Sequence, residues 1–297
     1  MALGPTAAFL AETRPPHGGS THISGQFDGD GILVPLLTPD IPTVVDQLRV
    51  AASFGRTIDA SLHVIDPVTA AKRDSAELRH EFTTDDEGEL LDWARAHLSQ
   101  SGSETNGRLQ YTRNLVRGIS RTAEVNDIDT LVMPSGSQTG VLRREVTERL
   151  ALRADCNVIT VNGRPGYDHV PSILLPVAGG PHSDLATDVA QRIAADFDAW
   201  VDILYVVNEE APERVREQAQ THVEAAAERI ARPELTSTWI LEAPDIAEAI
   251  IEQSTYYGLT VVGAPTKGRL RRFIAGSTNR TIRNNAHSVV LSARKNC

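Results

Sequence analysis

The runs GILVPLL (Gly31–Leu37) and SILLPVA (Ser172–Ala178) superimpose with Ile32 on Ile173 and Pro35 on Pro176. Each is a short, continuous apolar run of the kind found in strands buried on both faces. The segments after these two runs repeat as well. Pro42–Gly55 carries Val44, Val45, Leu48 and Ala52 on one helical face, with Gly55 placed to end the helix. Its counterpart, Ser183–Ala195, sets Leu185, Val189 and Ile193 at helical spacing. Second strands come at Ser61–Asp66 and Val201–Asn208, then charged helices at Glu87–Gln100 and Pro212–Ala231. Third strands are expected at Arg108–Arg113 and Thr236–Glu242, and fourth strands at Asp129–Pro134 and Leu259–Ala264. Each half closes with a loop, a helix and an apolar strand, Asn157–Val161 or Ser288–Ser292.

The chain therefore reads β-α-β-α-β-α-β-α-β twice. Strands alternating with helices imply right-handed crossovers and a parallel sheet covered on both faces. The expected organisation is a flexible tail over residues 1–30 and a first module over 31–162. A Gly- and Pro-containing linker over 163–170 then leads to a second module over 171–297.

Composition narrows the function classes. With 29 Lys+Arg against 39 Asp+Glu, a net charge of −10 and a pI near 5.4, the chain lacks the basic footprint of a general nucleic-acid binder. No apolar run approaches the ~20 residues that span a bilayer. The first residues have neither the basic nor the apolar segment of a secretory signal. Two cysteines, Cys156 and Cys297, cannot build a disulfide framework and fit a reducing compartment, so a cytoplasmic location is expected. Only Lys72, Lys267 and Lys295 among the basic residues are lysine, a pattern compatible with salt adaptation or with a GC-rich genome.

Three stretches carry a resemblance to the universal stress protein family. They are the opening strands ILVPLL and ILLPVA, the latter followed by GGPHSDLA; the strand LHVID of the first half; and VVGAPTKGRLRRFIAGSTNRTI, Val261–Ile282. The last resembles the family's nucleotide loop, Gly-x2-Gly-x9-Gly-Ser/Thr, and stands here as Gly263, two residues, Thr266, nine residues, then Gly276-Ser277. The resemblance implies two tandem α/β modules of flavodoxin-like (adenine nucleotide alpha hydrolase-like) fold. Each would be a five-stranded parallel sheet of order 3-2-1-4-5 with helices on both faces. It further implies antiparallel pairing of the last strands, an internal pseudo-dimer in which the linker raises the effective concentration of one half for the other. ATP or a related adenine nucleotide, with or without Mg, would lie in the second half against Pro176, Val177, Ala178, Val206, Val262 and Gly263. Thr266 would sit near the ribose, with Gly276, Ser277 and Thr278 at the phosphate.

Gly263 ends a strand where a missing Cβ would let a sugar lie against the backbone. Gly276-Ser277 opens a helix whose free N–H groups and positive dipole end receive an anion. Lys267, Arg269, Arg271 and Arg272 lie between and could add charge. An ordinary tight turn and N-cap would use the same residues.

Departures from the family pattern keep a second reading open. ATP-binding members carry an Asp just after the first strand, where this chain has Ala178, with Leu37 or Thr38 in the first half. Thr266 replaces the loop's second glycine. In the first half Met133 stands at the first loop glycine, and Glu145 and Val146 fall where Gly-Ser should precede the last helix, so that copy is expected not to bind. The alternative function is an interaction module without nucleotide, acting on a transporter or another protein partner; further self-association is also compatible. Catalysis is not expected. There is no Walker motif and no HxGH or PP-loop signature, and His182-Ser183-Asp184 reads as a helix start rather than a triad. His63 and Cys156 read as core residues, and Asp85, Asp86 and Glu87 as a helix start.

Overall fold

The computed structural model describes residues 31–69, 85–99, 105–135, 140–162, 167–264 and 288–296. The expected N-terminal tail, and the last helix of the second half within 265–287, lie outside these residues.

Five strands and four helices come from the first half. They are β1 (Gly31–Pro35), α1 (Ile41–Ile58), β2 (Ser61–Thr69), α2 (Asp85–Ser99), β3 (Thr105–Thr112), α3 (Leu115–Val125), β4 (Thr130–Pro134), α4 (Gly140–Arg153) and β5 (Asn157–Val161). The second half repeats the order with β6 (Ser172–Pro176), α5 (Pro181–Phe197), β7 (Trp200–Val207), α6 (Glu213–Ile230), β8 (Thr236–Glu242), α7 (Ile246–Gln253), β9 (Leu259–Gly263) and β10 (Val289–Arg294).

All ten strands form one sheet of order β3-β2-β1-β4-β5-β10-β9-β6-β7-β8. Within each half the order is the expected 3-2-1-4-5 and every pairing is parallel. The halves meet through β5 and β10, which pair antiparallel from Leu291 opposite Val161 to Arg294 opposite Val158. Edge strands that would otherwise expose unpaired backbone groups thus cover each other.

This junction keeps the same face of both halves on the same side. One continuous core lies under α1, α2, α5 and α6, with Val44, Leu48, Leu98, Leu185, Val189 and Val223 in it. The opposite face carries two separate cores, one under α3 and α4 around Ile119 and Leu150, the other beneath α7 around Ile250 and Val290. Tyr167 and Val170, each 1% exposed, belong to the shared core, and Tyr167 meets Phe197 edge-on at 5.5 Å. The end of the expected linker is therefore a packed wedge between the halves.

Three helix boundaries differ from expectation for identifiable reasons. Helix α1 does not stop at Gly55 but runs one turn further, to a left-handed Asp59 (φ 54°) whose N–H returns to the Gly55 carbonyl. Helix α5 ends in the same way at Asp198 (φ 54°). At its start, α5 is capped by neither Ser183 nor Asp184. It begins at Pro181 after Gly180, and Pro fits the first turn because no intrahelical acceptor awaits its missing N–H.

Candidate functional site

In each half the sheet parts where the strand order reverses. β1 and β4 pair only through Ile32–Thr130 and Leu33–Leu131, and β6 and β9 only through Ile173–Leu259 and Leu174–Thr260. Beyond these pairs the ladders do not continue toward the carboxyl ends. Pro35 and Pro176, repeated in the two halves, have no N–H with which to extend a ladder. Such a switch point is where ligands bind in open α/β sheets.

The second-half crevice gathers six of the expected residues. Pro176 and Val177 are buried at the end of β6, and the Val177 N–H donates to the Leu204 carbonyl of β7 at 2.9 Å. Ala178 comes next and is exposed. Val206, near the end of β7, and Val262, near the end of β9, are buried in the core beneath α7. Gly263 is half-buried at the β9 terminus. Thr266, Gly276, Ser277 and Thr278, with the basic residues Lys267 to Arg272, lie outside the described residues.

Gly263 has a cause within the chain itself. A Cβ there would lie 2.8 Å from the carbonyl carbon and oxygen of His182 and 2.9 Å from the Ser183 nitrogen. The first turn of α5 thus presses on the end of β9. Gly179 (φ 75°) and Gly180 (φ 86°) carry the chain from β6 into that turn without a side-chain cap. Ser183, within the stretch expected to start the helix, lies inside its first turn and accepts a hydrogen bond from the Ala178 N–H at 3.2 Å. His182 accepts from the Lys295 N–H through Nδ1 at 3.0 Å, which rules the His-Ser-Asp sequence out as a relay. Burial and the nearby Arg294 guanidinium both hold the His182 pKa below its ordinary value.

Behind the Gly179–Gly180 turn, between α5 and α6, lies a recess of about 150 Å³ lined by Gly179, Asp184, Thr187, His222 and Arg229, among others. Its walls are internally satisfied. Arg229 donates through both Nε and Nη2 to the buried carboxylate of Asp188, and His222 stacks on Tyr205 at 5.9 Å.

The first-half crevice is built differently. Gln47, fully buried on α1, donates its amide Nε2 to the Pro35 and Val132 carbonyls, each at 2.9 Å, and so stitches β1 to β4 beyond the last ladder pair. Counting back from the left-handed caps Asp59 and Asp198, the corresponding residue of α5 is Ala186. In the first half a buried amide thus bridges β1 and β4 beneath α1, and in the second half the first turn of α5 packs on Gly263. The turn into α1 also carries Asp40, which accepts from the Thr43 N–H at 3.1 Å and fills that helix terminus with a carboxylate. Met133 is fully buried, and Leu37 and Thr38 are buried as well. Glu145 lies within α4 rather than ahead of it. Elsewhere Cys156 is buried in the core beneath α3 and α4, His63 is half-buried on β2, and α2 begins at Asp85. Among the described residues no group of three or more His, Cys, Asp or Glu could hold a metal ion, and no helix is long and apolar enough to cross a membrane.

Two doubly wound modules fused into one ten-stranded sheet, each with a strand-end crevice, define the class as a tandem α/β protein. The model of the universal stress protein family matches residues 42–162 and 170–294, and the chain belongs to that family. Universal stress protein Rv2005c of Mycobacterium tuberculosis (strain H37Rv) is 25% identical over 234 residues, covering 71% of this chain and 78% of that protein. A universal stress protein of Archaeoglobus fulgidus DSM 4304 superimposes with a TM-score of 0.65 at 16% identity, over 90% of this chain and 96% of that one. A second universal stress protein from Archaeoglobus fulgidus, solved in complex with dAMP, matches 44% of this chain and 97% of its own at 20% identity, with a TM-score of 0.37.

Proposed function

We propose that this universal stress protein works in the cytoplasm as a regulator that holds an adenine nucleotide, ATP or a close relative, at the β6–β9 switch point. The observation that carries this reading is the end of the β6–β9 ladder at Leu174 and Thr260, with Pro176, Val177, Ala178, Val206, Val262 and Gly263 at or near the carboxyl ends of β6, β7 and β9. Val177, Val206 and Val262 supply apolar side chains at the strand ends, and the start of α5 after Gly179–Gly180 carries no side-chain cap, with Asp184 the acidic residue of its first turn. The stitched first half supports a single ligand per chain. The role is one of holding and sensing, and no residue is assigned to turnover.

A second reading, an interaction module without nucleotide, draws on Ala178. This exposed methyl stands where nucleotide-binding members carry an Asp, so the base or ribose would lose one acceptor.

Calorimetric titration of the full chain with Mg-ATP, at low and at molar salt, separates the two. One-to-one binding that disappears in Gly276→Asp with the melting temperature kept supports the sensor. Two sites per chain would overturn the silent first half. Absence of heat and of thermal shift at both salt concentrations would leave the interaction module standing.

A further inference from the structure

The segment leaving β10 ties the two halves together through one histidine. The Lys295 N–H donates to Nδ1 of His182, the second residue of α5, at 3.0 Å. One residue further on, Asn296 Nδ2 donates to the Ala151 carbonyl at 3.0 Å. Ala151 lies in the last turn of α4, whose final carbonyls have no intrahelical donor, so Asn296 caps a first-half helix from the second half. The backbone of the same His182 is what Gly263 accommodates at the end of β9. A strand-end crevice of one half and a helix terminus of the other therefore share a single two-residue connection.

That connection needs an unprotonated nitrogen. Neutral imidazole offers one acceptor, here Nδ1, whereas imidazolium has two donors and none. A protonated His182 would set an N–H against the Lys295 N–H. It would also place a positive charge beside Arg294, at the positive end of the α5 dipole. Among the described residues, the other groups around it offer no relief. Asp184 on α5 is exposed and its charge acts on Arg229 of α6. β6 and β9 contain no titratable residue, Lys295 is itself cationic, and α4 ends in the exposed Arg153.

We propose that His182 is a proton-operated latch: its neutral ring holds Lys295–Asn296 against α5 and keeps α4 capped, and its protonation releases the segment and uncaps α4. Acidification then loosens the α5–β9 corner of the second half and the end of α4 in the first half together. The device needs no bound nucleotide, so its test is independent of the ligand reading.

The test is an NMR titration of the nucleotide-free full chain from pH 7.5 to 5.0, following the backbone amides of Lys295 and of Leu152, which is bonded to the Ala151 carbonyl. Both amides are expected to shift in one common single-proton transition with a midpoint below 6.5. His182→Asn and His182→Gln, each with a side-chain oxygen that accepts and does not titrate, are expected to abolish the transition at both amides. In Asn296→Ala, Lys295 is expected to keep its transition and Leu152 to lose it. An unchanged Lys295 amide across the range, or the same transition in both His182 variants, overturns the latch. A Leu152 transition that persists in Asn296→Ala overturns its link to α4.

Discussion

Arg56 on α1 and Asp196 on α5 join the halves on the shared face of the sheet. The guanidinium Nε lies 2.9 Å from Oδ1 and its Nη2 lies 2.5 Å from Oδ2, while the Ser53 hydroxyl donates to Oδ2 at 2.8 Å. Three donors converge on one carboxylate whose side chain is 13% exposed, and Asp196 in turn holds the Arg56 pKa above its usual value against the cost of burial. Asp196→Ala strands all three. The expected loss is about 1–3 kcal/mol, held to that range because the Arg56 side chain keeps 30% of its surface in water. For a chain of this size that is a fall of roughly 2–10 °C in melting temperature. A change within ~1 °C would mean that the halves are held without this ion pair.

Gln47 predicts a different asymmetry. Gln47→Ala leaves the buried Pro35 and Val132 carbonyls without their donor, at a cost of about 2–4 kcal/mol. Gln47→Glu, which sets a carboxylate against two carbonyls, is expected to cost at least as much. In the second half the reverse change, Ala186→Gln, forces an amide under a helix already packed onto Gly263 and should cost about 1–3 kcal/mol through overpacking. Urea unfolding at constant m-value reads all three. Equal stability of Gln47→Ala and the parent chain would show the stitch to be dispensable.

These contacts mark where sequence reading reached its limit. Short apolar runs, and the place of the more polar third strands in the repeated strand–helix order, located every described strand, and two of them, Asn157–Val161 and Thr236–Glu242, agree at both ends, because these are largely local signals. Helix ends were less legible. Asp59 takes the left-handed cap that Gly55 was expected to supply, and Asp198 ends α5 in the same conformation, since a short polar side chain can also adopt it. Pro181 begins α5 two residues ahead of Ser183, whose hydroxyl is engaged by the Ala178 N–H instead. Gln47 was silent because its acceptors lie 12 and 85 residues away, although a Gln among Val44, Leu48 and Ala51 on a buried helix face was a usable signal. The reason for Gly263 was likewise non-local, an approach of α5 that no spacing in the chain reveals.

His97 gives the pH dependence a direction. Its ring, in the last turn of α2, stacks on Trp93 at 5.3 Å, and burial, then the charge of Arg49, hold its pKa below the ordinary 6.5. A histidine whose folded pKa is depressed binds its proton more readily in the unfolded chain. Its contribution to stability is complete above pH 6.5 and is lost as pH falls toward and through the folded value. His182 acts in the same sense. The drop in melting temperature between pH 7.5 and 5.0 is therefore expected to shrink in His97→Gln, and further in the double variant with His182→Gln. An identical drop in all three proteins would place the acid sensitivity elsewhere.

Gly263 separates two explanations of one residue. If its missing Cβ served only to admit a ligand, Gly263→Ala would leave the ligand-free protein as stable as before and would weaken nucleotide binding alone. The packing argues otherwise, because the new methyl would meet backbone atoms of His182 and Ser183 at 2.8–2.9 Å, and a helix backbone cannot turn aside as a side chain can. The first turn of α5 must lift away from β9, at a cost of about 1–3 kcal/mol in the ligand-free state. His182 moves with it, so hydrogen-exchange protection at the Lys295 amide should fall at neutral pH, where the parent chain keeps it. Loss of stability together with that amide's protection would assign Gly263 to the α5–β9 contact. Unchanged values of both would return the glycine to the ligand.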